Sequence, residues 1–141
     1  MAVPIAEAVL DTNVLVAALR SRRGASWRIL DLVRRDQVRV HVTVPLALEY
    51  EEVLLRHREA AGWPRRETLA FLGLLLRKAQ RHEVYYLWRG HADDREDAHV
   101  PEAAIAAQAS RLAVFNTGDF TDASQLGVEV MTPGEFLRAI E

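Results

Sequence analysis

The hydrophobic and polar positions of the chain follow two different periods. Period-two alternation, as in Val38–Val44, or a short apolar run predicts a buried strand. Apolar residues three positions apart, as at Trp27, Leu30 and Val33, predict one face of a helix instead. The short patterns occur five times, and the predicted strands are 5–10, 38–44, 83–87, 112–115 and 128–131.

Helical patterns fill most of the intervals between these strands. Ser26 can cap a helix through its hydroxyl, Pro45 suits the first turn of the next one, and Gly62-Trp63-Pro64 breaks the chain after it. Strands separated by helices favour right-handed crossovers, and therefore an α/β fold with a mainly parallel sheet covered on both faces. The predicted helices are 14–19, 26–35, 45–58, 65–80, 97–109 and 133–140.

Composition agrees with one globular domain over residues 1–141. The chain has a mass of 15.9 kDa, with 50% hydrophobic and 27% charged residues, which suffices for a core and excludes a disordered chain. No apolar run approaches the roughly 20 residues that span a bilayer. The opening MAVPIAEAVLDTN lacks the pattern of a signal peptide, and cysteine is absent. We therefore expect a cytoplasmic protein without disulfides or zinc–thiolate sites.

The charges are separated along the chain although they nearly cancel. The formal net charge is −2, yet Arg20–Arg39 holds seven arginines against two aspartates, and Asp93–Glu102 holds five acids against one arginine. Acids at a metal and arginines at its rim would suit an enzyme that acts on phosphates. Solvated helix faces remain the alternative interpretation of each charge.

Two aspartates follow the carboxyl ends of predicted strands. In parallel sheets, ligands bind beyond these ends. Asp11 comes directly after the first strand, and Asp119 lies four residues past Phe115. Asn13 and Thr117 lie beside them and could contact a metal-bound water or a phosphate oxygen. A helix cap or a turn is the structural alternative for either aspartate.

Two further acids are candidates because of their positions in predicted helices. Glu49 lies in an apolar stripe, where an uncompensated charge costs free energy, whereas Glu51 and Glu52 suit an exposed face. Asp97 begins the helix 97–109. Its competitors are Asp93, Asp94 and Glu96, and capping is the structural alternative for all of them.

Carboxylates without cysteine or patterned histidine favour a hard cation, Mg²⁺ or Mn²⁺. Such a site activates water and stabilises in-line displacement at a phosphate. Glycine-rich phosphate loops and nucleophile elbows are absent from the sequence. A phosphatase of the haloacid-dehalogenase type is disfavoured, because Asp11-Thr12-Asn13 lacks its second aspartate.

Four segments together resemble the PIN-domain family, and in particular its group of toxin components related to VapC-like ribonuclease toxins. The resemblance covers nearly the whole chain in the correct order, and LDTNVL combined with NTGDF and TPGEFL makes it specific. The segments are AVLDTNVLVAAL, VTVPLALEYEEVLLR, DDREDAHVPEAAIAAQASRLAVFNTGDF and VEVMTPGEFL.

This resemblance implies a compact three-layer α/β/α sandwich with a parallel sheet of about five strands, and an Mg²⁺- or Mn²⁺-dependent ribonuclease. The third motif departs from the family pattern, because Asp94-Arg95-Glu96-Asp97 lacks the usual proline, which leaves Asp94 as an alternative to Asp97. The implied metal ligands are Asp11, Glu49, Asp97 and Asp119, with Asn13 and Thr117 as polar companions.

The resemblance also implies partners: an RNA substrate, an antitoxin protein and a second copy of the chain in a homodimer. We expect Arg20, Arg22 and Arg23 to contact the RNA backbone, since the loop after the first helix should lie near the cleft. The alternative function is a catalytically silent module that binds RNA or protein on the same fold.

Overall fold

A five-stranded parallel sheet forms the centre of the molecule. The computed structural model describes residues 5–82, 111–120 and 127–141. Within them the strands are β1 (Ala6–Leu10), β2 (Val38–Thr43), β3 (Gln80–His82), β4 (Arg111–Ala113) and β5 (Glu129–Met131). Their order in the sheet is β3-β2-β1-β4-β5, and every neighbouring pair is parallel. The prediction of a mainly parallel sheet of five strands is confirmed.

Helix α3 (Val44–Ala61) begins and ends at local signals. Thr43 accepts a hydrogen bond from the backbone N–H of Leu46 and caps α3, whose first turn contains Pro45. Gly62 ends that helix in the left-handed conformation, with φ of 78°, which glycine adopts without strain. The helices are α1 (Thr12–Arg20), α2 (Ala25–Arg34), α3 (Val44–Ala61), α4 (Arg65–Lys78) and α5 (Pro133–Ile140), and Thr117–Phe120 forms a 3-10 turn.

The core lies around the central strand β1. Val9 is paired with Leu112 of β4 and Ala6 with Val38 of β2, so β1 has a hydrogen-bonded neighbour on each side. Helix α1 packs against both α2 and α3, and α5 packs against α2. The architecture is the α/β/α fold that the sequence predicts. Its largest fully buried side chains include Tyr50, Phe136, Leu10, Leu15, Ile29, Leu46, Leu54 and Leu112.

The third strand begins earlier than the sequence pattern predicts. Helix α4 ends at Lys78 instead of Gln80, and Gln80–His82 pairs with β2 from His41 to Thr43. The apolar spacing of α4 carries no information about this pairing, which is why the prediction ran too long. The predicted strand 83–87 and helix 97–109 lie outside the described residues. In the part of the chain that the structure describes, no helix is long and apolar enough to cross a membrane.

Candidate functional site

The carboxyl ends of β1 and β4 bring two of the predicted acids to one edge of the sheet. The backbone N–H of Asp11 donates to the carbonyl oxygen of Ala113, the last residue of β4, at 2.9 Å. Asp119 lies in the 3-10 turn that follows β4. Asp11 is partly buried and Asp119 is exposed. Both aspartates therefore lie at the carboxyl-terminal edge, where parallel sheets bind ligands.

A hydrogen bond between two helices connects Glu49 to the same edge. The Thr12 hydroxyl donates to Oε2 of Glu49 at 2.5 Å. Thr12 is only 6% exposed, and it is the first residue of α1, directly after Asp11. Glu49 on α3 is therefore adjacent to the segment that holds Asp11, whereas Glu51 and Glu52 are exposed.

Tyr50, the residue after Glu49, contacts the backbone directly before Asp11. It is 1% exposed, and its hydroxyl donates to the carbonyl oxygen of Leu10 at 2.5 Å. Burial raises the pKa of the Tyr50 phenol well above its ordinary value, and the negative charges of Asp11 and Glu49 raise this pKa further. Both carboxylates thus lie close enough to Tyr50 to act on its ionisation.

The third acid at this edge is oriented by its own turn. Asn116 donates from Nδ2 to Oδ2 of Asp119 at 2.8 Å, and the backbone N–H of Asp119 donates to the carbonyl oxygen of Asn116 at 3.1 Å. Thr117, in the same turn, and Asn13, in the first turn of α1, are exposed. Both polar companions are accessible to a ligand in solution.

Sequence reasoning missed three residues that organise this site: Thr12, Tyr50 and Asn116. Tyr50 had a detectable signal, because it is four residues from both Leu46 and Leu54 and so lies on the buried stripe of α3. A buried tyrosine needs a hydrogen-bond acceptor nearby. The contact of Thr12 with Glu49 spans 37 positions, and no local pattern indicates it.

The described residues contain part of the predicted ligand set. Asp97 and its alternative Asp94 lie outside them. Among the described residues, no group of three or more histidines, cysteines or acids is close enough together to hold a metal ion. Asp11 and Glu49 lie on adjacent segments, and their oxygen donors are of the type that Mg²⁺ and Mn²⁺ prefer. The donor chemistry present therefore fits a hard divalent cation.

The predicted substrate-contacting arginines lie at and after the carboxyl-terminal end of α1. Helix α1 starts next to Asp11 and ends at Arg20, a rise of about 13 Å at 1.5 Å per residue. Arg20 Nη2 lies 3.4 Å from Nδ1 of His57, eight residues beyond Glu49 on α3. The loop with Arg22 and Arg23 follows at this far end. The loop therefore lies about a helix length from Asp11, and contact of its arginines with RNA stays a prediction.

The sequence matches the family model of the PIN domain over residues 7–118. This match covers most of the chain, and the protein belongs to the PIN-domain family.

Among solved structures, the chain is similar to one chain in the crystal structure of VapBC2 from Rickettsia felis bound to a DNA fragment from their promoter. The TM-score is 0.59 at 13% sequence identity, and the match covers 89% of this chain and 96% of that chain. At this identity the likeness shows a shared fold. No curated protein matches the sequence significantly.

Proposed function

We propose that this protein is a metal-dependent endoribonuclease that hydrolyses RNA phosphodiester bonds, and that it is the toxin of a toxin–antitoxin pair. The observation that supports catalysis most directly is the placement of Asp11 and Glu49. Thr12 holds the Glu49 carboxylate, and both acids influence the Tyr50 phenol at the edge of the sheet. Membership of the PIN-domain family supports the nuclease class.

Each residue of the site has a proposed role. Asp11 and Glu49, together with Asp97 and Asp119, would hold one or two Mg²⁺ or Mn²⁺ ions. When bound, the cation would supply activation of water and offset negative charge at the phosphate. Asn13 and Thr117 would position the water or a phosphoryl oxygen through hydrogen bonds. Arg20, Arg22 and Arg23 would contact the RNA backbone away from the scissile bond.

A cleavage assay of the purified protein tests this proposal. Structured and single-stranded RNAs are incubated with Mn²⁺, Mg²⁺ or EDTA, and the wild type is compared with Asp11→Asn. We expect cutting by the wild type with metal only, and a loss of at least about a hundredfold in Asp11→Asn with an unchanged circular dichroism spectrum. Glu52→Gln is the matched control, because it removes an exposed acid three residues from Glu49 and should cut normally. Full activity of Asp11→Asn would refute the assignment.

The partners are part of the proposal. The similar solved structure is of VapBC2 on promoter DNA, which supports an antitoxin partner for this chain. We propose that a small protein encoded beside it covers the acidic edge, that the chain forms a homodimer, and that it acts in the cytoplasm as a single domain. Co-expression with the neighbouring gene should suppress cleavage, and release of that protein should restore it.

A silent binding module on the same fold is the second candidate. In that case the protein would bind RNA without cutting it under any metal, and Asp11→Asn would bind as the wild type does.

A further inference from the structure

An aromatic cluster joins two loops at the end of the molecule away from the acids. Trp27 of α2 is stacked with Phe71 of α4 at 6.1 Å between ring centroids, and Trp63 meets Phe71 edge-on at 5.6 Å. Trp63 donates from Nε1 to the carbonyl oxygen of Leu19 at 2.9 Å. This bond fixes the loop between α3 and α4 beside the loop that follows α1.

Arg22 lies over both indole rings of this cluster. Its guanidinium carbon is 5.4 Å from the ring centroid of Trp27 and 5.7 Å from that of Trp63. A cation–π contact leaves the positive charge of the guanidinium group in place, and this group carries five N–H donors that match phosphate oxygens. The two tryptophans therefore order the cation without neutralising it.

The two joined loops concentrate positive charge around Arg22. Arg65 and Arg66 begin α4 directly after Trp63-Pro64, and Arg20 and Arg23 flank Arg22; all five side chains are exposed. Among the described residues no carboxylate pairs with any of these five, whereas Asp31 forms salt bridges with Arg28, Arg34 and Arg35. Even with the nearby Glu67 counted, positive charge predominates on a protein whose net charge is −2.

We propose that this arginine–tryptophan surface, formed by Arg20, Arg22, Arg23, Arg65 and Arg66 around Trp27 and Trp63, binds the backbone of single-stranded RNA. The proposal rests on the proposed ribonuclease activity and adds a second point of contact. Arginines interleaved with aromatic rings are the combination that single-stranded nucleic acids favour. Because α1 separates the surface from Asp11 by about 13 Å, the RNA must extend beyond the cleaved bond to reach it.

A binding experiment without catalysis tests this surface. Asp11→Asn protein in EDTA is titrated into fluorescein-labelled single-stranded RNAs of about 20 and about 4 nucleotides, and anisotropy is measured. Arg65→Gln/Arg66→Gln should weaken binding of the long RNA at least about fivefold and reduce the slope of log K against log salt by about 1.4. The matched control Arg77→Gln/Arg81→Gln removes two exposed arginines elsewhere and should change affinity less than twofold.

Arg22→Lys tests the role of the tryptophans. It keeps the charge but loses the planar group that lies on the indoles, so we expect weaker binding of the long RNA with unchanged thermal unfolding. Equal losses of RNA affinity in Arg65→Gln/Arg66→Gln and in the control Arg77→Gln/Arg81→Gln would overturn the proposal. Binding of a poly-glutamate peptide as tightly as the RNA would also overturn it, and would assign the surface to an acidic protein.

The outcomes separate this proposal from the nuclease proposal. In one outcome, the wild type binds RNA through these arginines and yet cleaves no RNA with any metal. This outcome would refute the nuclease activity and support the proposed RNA-binding surface. The opposite outcome is metal-dependent cleavage by the wild type, with Arg65→Gln/Arg66→Gln binding and cutting the long RNA equally well. This outcome would support the nuclease activity and refute the proposed RNA-binding surface.

Discussion

Thr12 and Tyr50 show how single hydrogen bonds place the carboxylates of the candidate site. Thr12 donates to the Glu49 side chain, and Tyr50 donates to the backbone at Leu10, directly before Asp11. Both donors are almost completely buried. Buried hydrogen bonds of this kind restrict the groups that they join, here the Glu49 side chain and the backbone directly before Asp11.

At the residue scale we predict that Thr12→Val weakens metal binding while Thr12→Ser does not. Valine keeps the shape of threonine but removes the donor, and a hydrogen bond to a charged group contributes about 1.5–3 kcal/mol. The affinity for Mn²⁺, measured by isothermal titration calorimetry, should fall at least about fivefold in Thr12→Val, and RNA cleavage should fall with it. Wild-type Mn²⁺ affinity in Thr12→Val would show that Glu49 is positioned without Thr12.

The short helix α5 begins with a capping box. In α5 the Thr132 hydroxyl accepts from the backbone N–H of Glu135 at 3.2 Å, and the Glu135 carboxylate accepts from the backbone N–H of Thr132 at 2.9 Å. The hydrogen bond from the Thr132 backbone N–H, followed by the Thr132 side chain, lowers the pKa of the Glu135 carboxyl below its ordinary value. A helix of eight residues is marginal by itself, so the capping box and the buried Phe136 together keep α5 in place.

At the element scale we predict that Thr132→Ala lowers the free energy of unfolding by about 1 kcal/mol, the usual contribution of a threonine cap. Thr132→Ser keeps the hydroxyl and should remain within a few tenths of a kcal/mol of the wild type. Urea unfolding followed by circular dichroism measures both variants. A destabilisation of equal size in the serine variant would show that the methyl group, not the cap, is responsible.

A chain of hydrogen bonds crosses three strands of the sheet. His41 of β2 contacts Oε1 of Glu7 in β1 through Nε2 at 2.8 Å, and Nε2 of His82 in β3 through Nδ1 at 2.8 Å. His41 is 6% exposed. Desolvation lowers the pKa of His82 below its ordinary 6.5, as does the neighbouring His41, while Glu7 acts in the opposite direction.

At the scale of the whole molecule we predict that stability falls as the pH decreases below about 6.5. The unfolded chain takes up a proton at His82 before the native protein does, so protonation favours unfolding. Urea midpoints at about pH 7.5 and pH 5.5 should differ less in His82→Gln than in the wild type. His57→Gln, outside the hydrogen-bonded chain, should retain the wild-type difference. An unchanged pH dependence in His82→Gln would contradict the prediction.

The sequence alone determined the elements whose causes are local. Alternation over Val38–Val44 predicted β2, and the helix predicted at Pro133–Ile140 has those bounds in the structure because its cap and first turn are adjacent in the chain. The five-stranded parallel sheet followed from strands separated by helices. The PIN-domain resemblance rested on motifs along the whole chain, and the family match confirms it.

Only the tertiary structure decided which distant residues meet. Strand β3 begins at Gln80 because β2 supplies its hydrogen bonds, and Glu49 is distinguished from its neighbours by a threonine 37 positions away. The direction of α1 moved Arg22 away from the acids and onto tryptophans of two other segments. Local periodicity records which face of an element is buried. It does not record which other helix or strand that face contacts. Packing between segments that are distant in the sequence determines this contact.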